Sequence, residues 1–176
     1  MNGLIDGHWI GVHDGDARAR AIYLRHYSAF RRKSHSVSPH FVGVGEKMVL
    51  LTLNADALFV WRYTEPGKAP THNHPDMRRV RRGNKPSSYE VNSGVWCTIF
   101  RNEGNVLSSE LIEEACQLAW QRWPGERLST YVWDAKVKSV NPGFCFKKAG
   151  WRTCGRNKDG RLTILELLPK RVDGGA

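Results

Sequence analysis

VWCTIF (residues 95–100), RNEGNVLS (101–108) and SELIEEACQLAWQRW (109–123) form the stretch that decides the fold. They indicate a buried strand, a glycine-containing turn and an amphipathic helix. A second strand, a short helix and a closing pair of strands follow, in RLSTYVWD (127–134), NPGFCFKKAGW (141–151), RTCGR (152–156) and RLTILELL (161–168). This alternation predicts an α/β (α+β) layer rather than a helical bundle or a β-sandwich.

The N-terminal part adds a strand, a helix and a hairpin to this plan. A short strand is predicted over residues 8–12, and Asp16 is a good N-cap for a helix that begins near Ala17 and continues towards Arg31. Strand-like segments over residues 47–53 and 58–63 flank a turn, so they predict a hairpin. The helix is expected to bury one face, which contains Ala17, Ala21, Leu24 and Tyr27.

Helix boundaries in the deciding stretch are predicted from cap residues and apolar spacing. Ser108 should N-cap the long helix, and Asn141, which precedes a proline, should N-cap the short one. The buried stripe of the long helix is predicted to consist of Leu107, Leu111, Ala115 and Leu118.

Length and composition indicate one globular domain covering residues 1–176. Residues 65–93 are rich in proline, glycine and charge, which predicts a long basic loop inserted into that domain. No apolar run is long enough to span a bilayer, and the N-terminus shows no signal-peptide pattern. Four scattered cysteines are expected to be reduced thiols, so a cytoplasmic location is predicted.

Charge is the strongest compositional signal of function. The formal net charge is +10 and the isoelectric point is about 9.8, which favours a polyanionic partner, most plausibly nucleic acid. Tyr63 and Tyr89, at the margins of the loop, are candidates for stacking on a base. The alternative is a solvated charge run. The predicted DNA contacts are Arg31, Arg32, Lys33, Arg78, Arg79, Arg81, Arg82 and Lys85.

The same loop contains a candidate metal site. His72, His74 and Asp76 have a spacing that could bind a metal ion, but loop histidines are usually solvated and no cysteine lies near. No metal is therefore predicted.

The turn from Arg101 to Ser108 joins a strand to a helix N-terminus, where backbone amides and the helix dipole favour a phosphate group. The alternative is an ordinary strand-to-helix turn. A phosphate-bearing cofactor held here would contact Arg101, Asn102, Gly104, Asn105, Val106, Leu107 and Ser108.

The order of elements resembles the C-terminal half of a GNAT-type acyltransferase. Arg101, Gly104 and Val106 correspond to that family's pyrophosphate loop. Asn141, Phe146 and the Gly150-Trp151 pair correspond to its late motif, in which Asn141 and Phe146 would face the cofactor. The resemblance implies a single domain with a central, mixed, mostly antiparallel sheet that is split in the middle and has helices on both faces. It also implies acetyl-CoA or another acyl-CoA as the donor.

Two positions depart from the family pattern. Val106 stands where the family has glycine or alanine, so the backbone would approach a pyrophosphate less closely. Phe146 stands where many members have a tyrosine that protonates the leaving thiolate, and phenylalanine has no proton to give.

The segment Arg25-His26-Tyr27-Ser28 resembles the His-Tyr-Ser segment of phage Mom-type proteins, which are GNAT-like enzymes that modify adenine in DNA. With the basic charge, this implies a DNA-modifying transferase that adds an acyl or aminoacyl-type group to a base amine. His26, Tyr27, Ser28 and Asp134 would then form the acceptor site, Asp134 because it follows the carboxyl end of a strand. The alternatives are a conventional acetyl-CoA-dependent N-acetyltransferase and a non-catalytic DNA-binding protein on a GNAT scaffold.

Overall fold

A computed structural model describes residues 7–29, 39–43, 45–65, 94–137, 140–157 and 160–169. Within them lie seven strands and three helices. Their bounds are β1 (Trp9–Val12), α1 (Ala17–Tyr23), β2 (Glu46–Thr52), β3 (Ala57–Thr64), β4 (Gly94–Asn102), α2 (Ser108–Arg122), β5 (Leu128–Trp133), α3 (Phe144–Lys148), β6 (Arg152–Arg156) and β7 (Leu162–Leu167).

The seven strands form one mixed sheet in the order β1-β2-β3-β4-β5-β7-β6. Every neighbouring pair is antiparallel except β4 and β5, which are parallel. The prediction of an α+β fold with a mixed, mostly antiparallel sheet is therefore confirmed. This parallel pair joins the N-terminal strands β1 to β4 to the C-terminal strands β5 to β7.

The junction between β4 and β5 is short. Their register comprises three pairs, from Val95 opposite Leu128 to Cys97 opposite Thr130. Beyond those pairs β4 continues to Asn102 and β5 to Trp133, and both strands lie wholly within the described residues. The two strands therefore separate over the second half of their length.

Two clusters of buried residues share the central strands. Phe59 and Trp61 of β3 pack in the first cluster with the buried side of α2, whereas Leu58 and Val60 pack in the second cluster with Ile22 of α1. Successive residues of a strand point to opposite faces of a sheet. Alternate residues of β3 therefore contribute to different clusters.

Helix α2 follows the predicted stripe with one correction. Leu111, Ala115 and Leu118 are buried as predicted, together with their helical neighbours Ile112, Cys116 and Ala119. Leu107, however, is 64% exposed, so its place in the stripe was wrong. It precedes the helix as the N-cap residue, and no side chain caps this terminus.

Ser108 does not cap α2 because it is already the first helical residue. Its hydroxyl oxygen accepts a hydrogen bond from Asn102 Nδ2 at 3.1 Å, and the same Asn102 amide group donates to the carbonyl of Val106 at 2.8 Å. The Asn102 side chain therefore stabilises the turn through hydrogen bonds within it, and the predicted N-cap role of Ser108 was wrong.

Helix α1 has the predicted cap but a different length and face. Asp16 accepts hydrogen bonds from the amides of Arg18 and Ala19 at 2.9 and 3.2 Å, which confirms the N-cap. The helix ends at Tyr23, and its buried residues are Ala19 and Ile22. The predicted buried face was wrong: Ala17, Ala21, Leu24 and Tyr27 are exposed.

Helix α3 begins after a left-handed residue rather than after an asparagine cap. Its N-cap residue is Gly143, with φ of 75°, and a Cβ there would lie 2.8 Å from Leu165 Cδ1. The positive φ favours glycine here, and a larger residue would also have to displace the end of the Leu165 side chain. Asn141 lies two residues earlier, where its carbonyl accepts from the amide of Phe144, so its predicted N-cap role was wrong.

Leu111 and Leu107 offer a matched test of this packing. Leu111→Ala should lower the free energy of unfolding by about 2–5 kcal/mol, because it leaves a cavity beneath α2. Leu107→Ala should change it by less than about 1 kcal/mol, because the side chain is exposed. Urea denaturation followed by tryptophan fluorescence measures both, and equal losses would contradict the placement of the helix.

Candidate functional site

A first cavity of about 250 Å³ lies between the separated halves of β4 and β5. Phe146 of α3 and the turn after α1 complete its walls. Its lining is mainly apolar with a few polar groups, as expected of a ligand site. The residues that line it are His26, Tyr27, Cys97, Thr98, Ile99, Phe100, Arg101, Thr130, Tyr131, Val132, Val137, Gly143, Cys145 and Phe146.

A second cavity of about 380 Å³ adjoins the first and is richer in aromatic side chains. Trp96 and Tyr131 stack with their centroids 4.6 Å apart, and Tyr23 stacks on Phe41 at 5.0 Å. The full lining is Tyr23, Tyr27, Ser28, Phe41, Val42, Gly43, Arg62, Trp96, Cys97, Thr98, Ile99, Tyr131, Trp133 and Leu162.

The two cavities share one wall. Five residues line both of them, namely Tyr27, Cys97, Thr98, Ile99 and Tyr131. Four of the five belong to β4 or β5 and lie at or just beyond the last paired positions of these strands. The cavities therefore meet where the sheet separates.

His26 and Tyr27 connect the two separated strands. His26 hydrogen-bonds to the backbone of Phe100 in β4, and Tyr27 hydrogen-bonds to the backbone of Trp133 in β5. Tyr27 also packs edge-on against the Trp133 ring at 6.5 Å. The turn after α1 thus supplies partners to backbone groups that the separated strands cannot give each other.

His26 is held in its neutral form. It is buried, and its Nδ1 lies 2.7 Å from Ser28 Oγ and accepts from the Ser28 amide at 3.2 Å. Burial and the nearby Arg101 guanidinium lower its pKa from 6.5 to about 4, against the opposing effect of the Phe100 backbone hydrogen bond. A neutral ring that accepts at Nδ1 donates from Nε2, which fits the Phe100 carbonyl.

Tyr27 keeps its proton. Burial of the hydroxyl raises the pKa of Tyr27, although the hydrogen bond with the Trp133 backbone acts in the opposite direction. A backbone N–H donated to the phenol oxygen leaves the Tyr27 O–H able to donate into either cavity. Tyr27 therefore places a protonated hydroxyl at the shared wall.

The turn from Arg101 to Ser108 leads out of the first cavity, because Arg101 lines that cavity. The amide of Gly104 donates to Asn102 Oδ1 at 2.9 Å, so that amide is already used within the turn. Val106 packs against the first core cluster, which accounts for a valine at this position. Asn105 and Leu107 are exposed.

Phe146 lies in the wall of the first cavity, buried between Phe100 and Trp151. The ring centroids are 5.7 and 5.1 Å apart, and both contacts are edge-on. The side chain is thus a packing element, and the neighbouring Cys145 thiol also faces the cavity. Burial raises the pKa of Cys145, so the group is a protonated thiol near neutral pH.

Asp134 and Asn141 lie outside the lining of both cavities. Asp134 accepts a hydrogen bond from Thr163 at 2.9 Å and pairs with Arg156 at 3.0 Å, so it joins the end of β5 to the last two strands. Asn141 Oδ1 accepts from Lys147 Nζ at 2.9 Å. The structure does not bring these two predicted site residues together with His26 and Tyr27.

The residues predicted to grip DNA, residues 31–33 and the cluster from Arg78 to Lys85, lie outside the described residues. So do His72, His74, Asp76 and Tyr89. From residue 127 onward, the described chain carries seven lysines and arginines against the two carboxylates Asp134 and Glu166, so positive charge also accumulates near α3 and β6. The seven are Arg127, Lys136, Lys147, Lys148, Arg152, Arg156 and Arg161. In the described part of the chain, no group of three metal-ligating side chains is assembled.

Sequence reasoning missed most of the shared wall. Thr98, Thr130 and Tyr131 are strand residues, and no spacing rule shows where two paired strands separate. One signal was present, because Thr98 and Thr130 are polar residues inside otherwise apolar segments. Thr130 Oγ1 donates to the carbonyl of Cys97 at 3.0 Å, and Thr98 Oγ1 donates to the carbonyl of Val60 at 3.4 Å.

Comparison of the chain with protein-family models, with curated proteins and with solved structures finds no match. No helix in the described ranges has the length and apolar character needed to cross a membrane.

His26 predicts a specific pH dependence of stability. Its pKa is lower in the folded protein than its ordinary value of 6.5, so protonation favours unfolding. The contribution of His26 to the free energy of unfolding should be fully present above pH 7. That free energy should fall by about 2 kcal/mol between pH 7 and pH 5.

His26→Gln should remove most of this slope, whereas His13→Gln, at an exposed histidine outside both cavities, should retain it. Urea unfolding at a series of pH values tests the prediction. An unchanged slope in His26→Gln would show that the ring is not held neutral.

Proposed function

We propose that the protein is a GNAT-like group transferase that modifies a base in nucleic acid. It would move an acyl or aminoacyl-type group from a phosphate-bearing donor in the first cavity to a base amine, with adenine in DNA as the favoured acceptor, in the second. The observation that carries the proposal is the shared wall, since a transfer reaction needs two binding sites that meet at the reacting atoms.

The donor side is assigned to the first cavity because of what surrounds it. Arg101 lines the cavity and begins the turn that leads to the N-terminus of α2, where a phosphate is favoured. The apolar walls suit the chain of an acyl-CoA-type donor, with acetyl-CoA or another acyl-CoA as the working choice. The short α3 helix and the alternation of core residues across β3 are consistent with a GNAT-like arrangement with helices on both faces of the sheet.

The acceptor side is assigned to the second cavity because it is lined with flat aromatic rings. The stacked pair Trp96–Tyr131 and the neighbouring Trp133 offer faces and edges to a planar heteroaromatic ring. A base can reach such a cavity only when it is unpaired or flipped out of a duplex. The net charge of +10 supports a polyanion as the carrier of that base.

The role of proton donor to the leaving group is assigned to Tyr27. In the proposed step the base amine attacks the acyl carbonyl carbon, an N–C bond forms and the C–S bond to the donor breaks. Tyr27 gives its proton to the leaving thiolate, and the phenolate recovers a proton from the acylated nitrogen. This assignment supplies the group that Phe146 lacks, and Ser28, which lines the second cavity, would accept an N–H of the amine.

A second candidate function is nucleic-acid binding without catalysis. It is favoured by the structural use of His26 and Tyr27, which hydrogen-bond to the backbones of β4 and β5, and by the apolar packing of Phe146. On this alternative the cavities bind a base but transfer nothing to it.

Expression of the protein in a bacterium, followed by digestion of the cell's DNA to nucleosides and mass spectrometry, tests the proposal. A new nucleoside should appear, and its mass shift identifies the transferred group. Tyr27→Phe should reduce its amount by about 10²–10⁴-fold, because the ring stays but the proton donor is lost. Tyr63→Phe should have no effect, because it keeps the ring that stacks on Trp123 and removes only a hydroxyl that lies outside both cavities.

Unmodified DNA in cells that contain folded wild-type protein would contradict the transferase proposal. Steeply salt-dependent binding of single-stranded DNA in the same preparation would then support the non-catalytic alternative. Equal yields from wild type and Tyr27→Phe would refute only the role of Tyr27.

A further inference from the structure

Arg25, Glu103 and Arg101 form an ion-pair cluster at the exit of the first cavity. Arg25 binds the Glu103 carboxylate with two nitrogens, Nε to Oε1 at 2.8 Å and Nη2 to Oε2 at 2.6 Å. Arg101 Nε contacts the same Oε1 at 2.5 Å. One carboxylate therefore holds two guanidinium groups that come from separate parts of the chain.

Further hydrogen bonds fix the positions of the residues in this cluster. Arg25 is also anchored by a hydrogen bond from Nη1 to the carbonyl of Ala21 at 2.9 Å, and Arg101 belongs to β4 and lines the first cavity. The amide of Glu103 donates to the carbonyl of Asp56 at 2.7 Å, which fixes the backbone of the turn. The Glu103 side chain alone can rotate away without moving any of these anchors.

We propose that Arg25 and Arg101 form a clamp for a diphosphate, and that the Glu103 carboxylate occupies this clamp when no donor is bound. A carboxylate that bridges two guanidiniums makes the same charge-assisted hydrogen bonds that a phosphate would make. The inference rests on the proposed function for the nature of the donor, and it adds Arg25 and an internal competitor to the donor site.

The competition has a direct consequence for affinity. An incoming diphosphate must displace Glu103, so removal of the Glu103 charge frees both arginines and removes a like charge from the site. The side chains of Arg25 and Arg101 are 49% and 35% exposed, so a ligand can approach them from solvent.

Isothermal titration of the purified protein with coenzyme A and with inorganic pyrophosphate, at low ionic strength, tests the clamp. Glu103→Gln should bind both ligands about tenfold more tightly than wild type, because the competing charge is gone. Arg25→Gln should bind both about tenfold more weakly. Glu103→Asp, whose shorter side chain cannot reach both arginines, should bind with intermediate affinity.

Glu46→Gln is the matched control, since Glu46 forms an ion pair with Arg122 at the other end of α2, and it should leave both affinities unchanged. The clamp is refuted if Glu103→Gln binds no more tightly than wild type, or if Arg25→Gln binds as wild type does. These titrations contain no nucleic acid, so their failure is distinguishable from a failure of base modification. Tightening for pyrophosphate alone would retain the clamp and exclude coenzyme A as its ligand.

Discussion

The separation of β4 from β5 is the constraint on which the rest of the site depends. Two parallel strands that pair over three residues and then part leave backbone donors and acceptors facing a gap. Buried backbone groups without partners destabilise a protein by about 1–3 kcal/mol each, so something must occupy the gap. Here Thr130 binds the Cys97 carbonyl, and His26 and Tyr27 reach the backbones of the two strands.

This requirement explains why polar side chains are concentrated in the turn after α1. The side chains that satisfy the strands are polar and lie beside the space between the strands. His26 is buried as a whole, whereas Tyr27 is 41% exposed. Burial then sets their protonation, which leaves His26 neutral and Tyr27 protonated near neutral pH. The same residues therefore link the strands and line the first cavity, and Tyr27 lines the second cavity as well.

The sequence was informative where local rules decide the outcome. The bounds of β5, the cap at Asp16 and the buried residues Leu111, Ala115 and Leu118 follow from strand propensity, capping and helical spacing. Helix α1 was harder because it is short and alanine-rich, so more than one apolar face satisfies the spacing, and tertiary contacts with β3 selected Ala19 and Ile22. The first residue of α2 was misassigned because α2 begins at Ser108 itself, whose hydroxyl accepts a hydrogen bond from Asn102 and caps no helix amide.

The site could be predicted only in part, because its geometry is non-local. His26, Tyr27, Ser28, Arg101 and Phe146 were named from their motifs, and all five line a cavity. Residues 97, 98, 99 and 131 of the shared wall could not be named, since the point at which two strands part depends on the register of the whole sheet. Asp134 looked equivalent from the sequence because it ends a strand, yet it joins β6 and β7 instead.

Val106 and Phe146 are both apolar residues that pack against or within the first core cluster. Val106 and Phe146 stand where the GNAT pattern has a small residue and a proton donor, and both are used here for packing. Apolar packing at these positions leaves Arg101 as the charged residue that lines the first cavity, and Glu103 offsets that charge. Arg101 in turn lowers the pKa of His26, so the charge state of the clamp and the basicity of the ring are linked. A diphosphate that took the place of Glu103 would add negative charge beside Arg101 and weaken its repulsion of a protonated His26. Binding at one end of the first cavity would thereby raise the pKa of His26, which lines the same cavity.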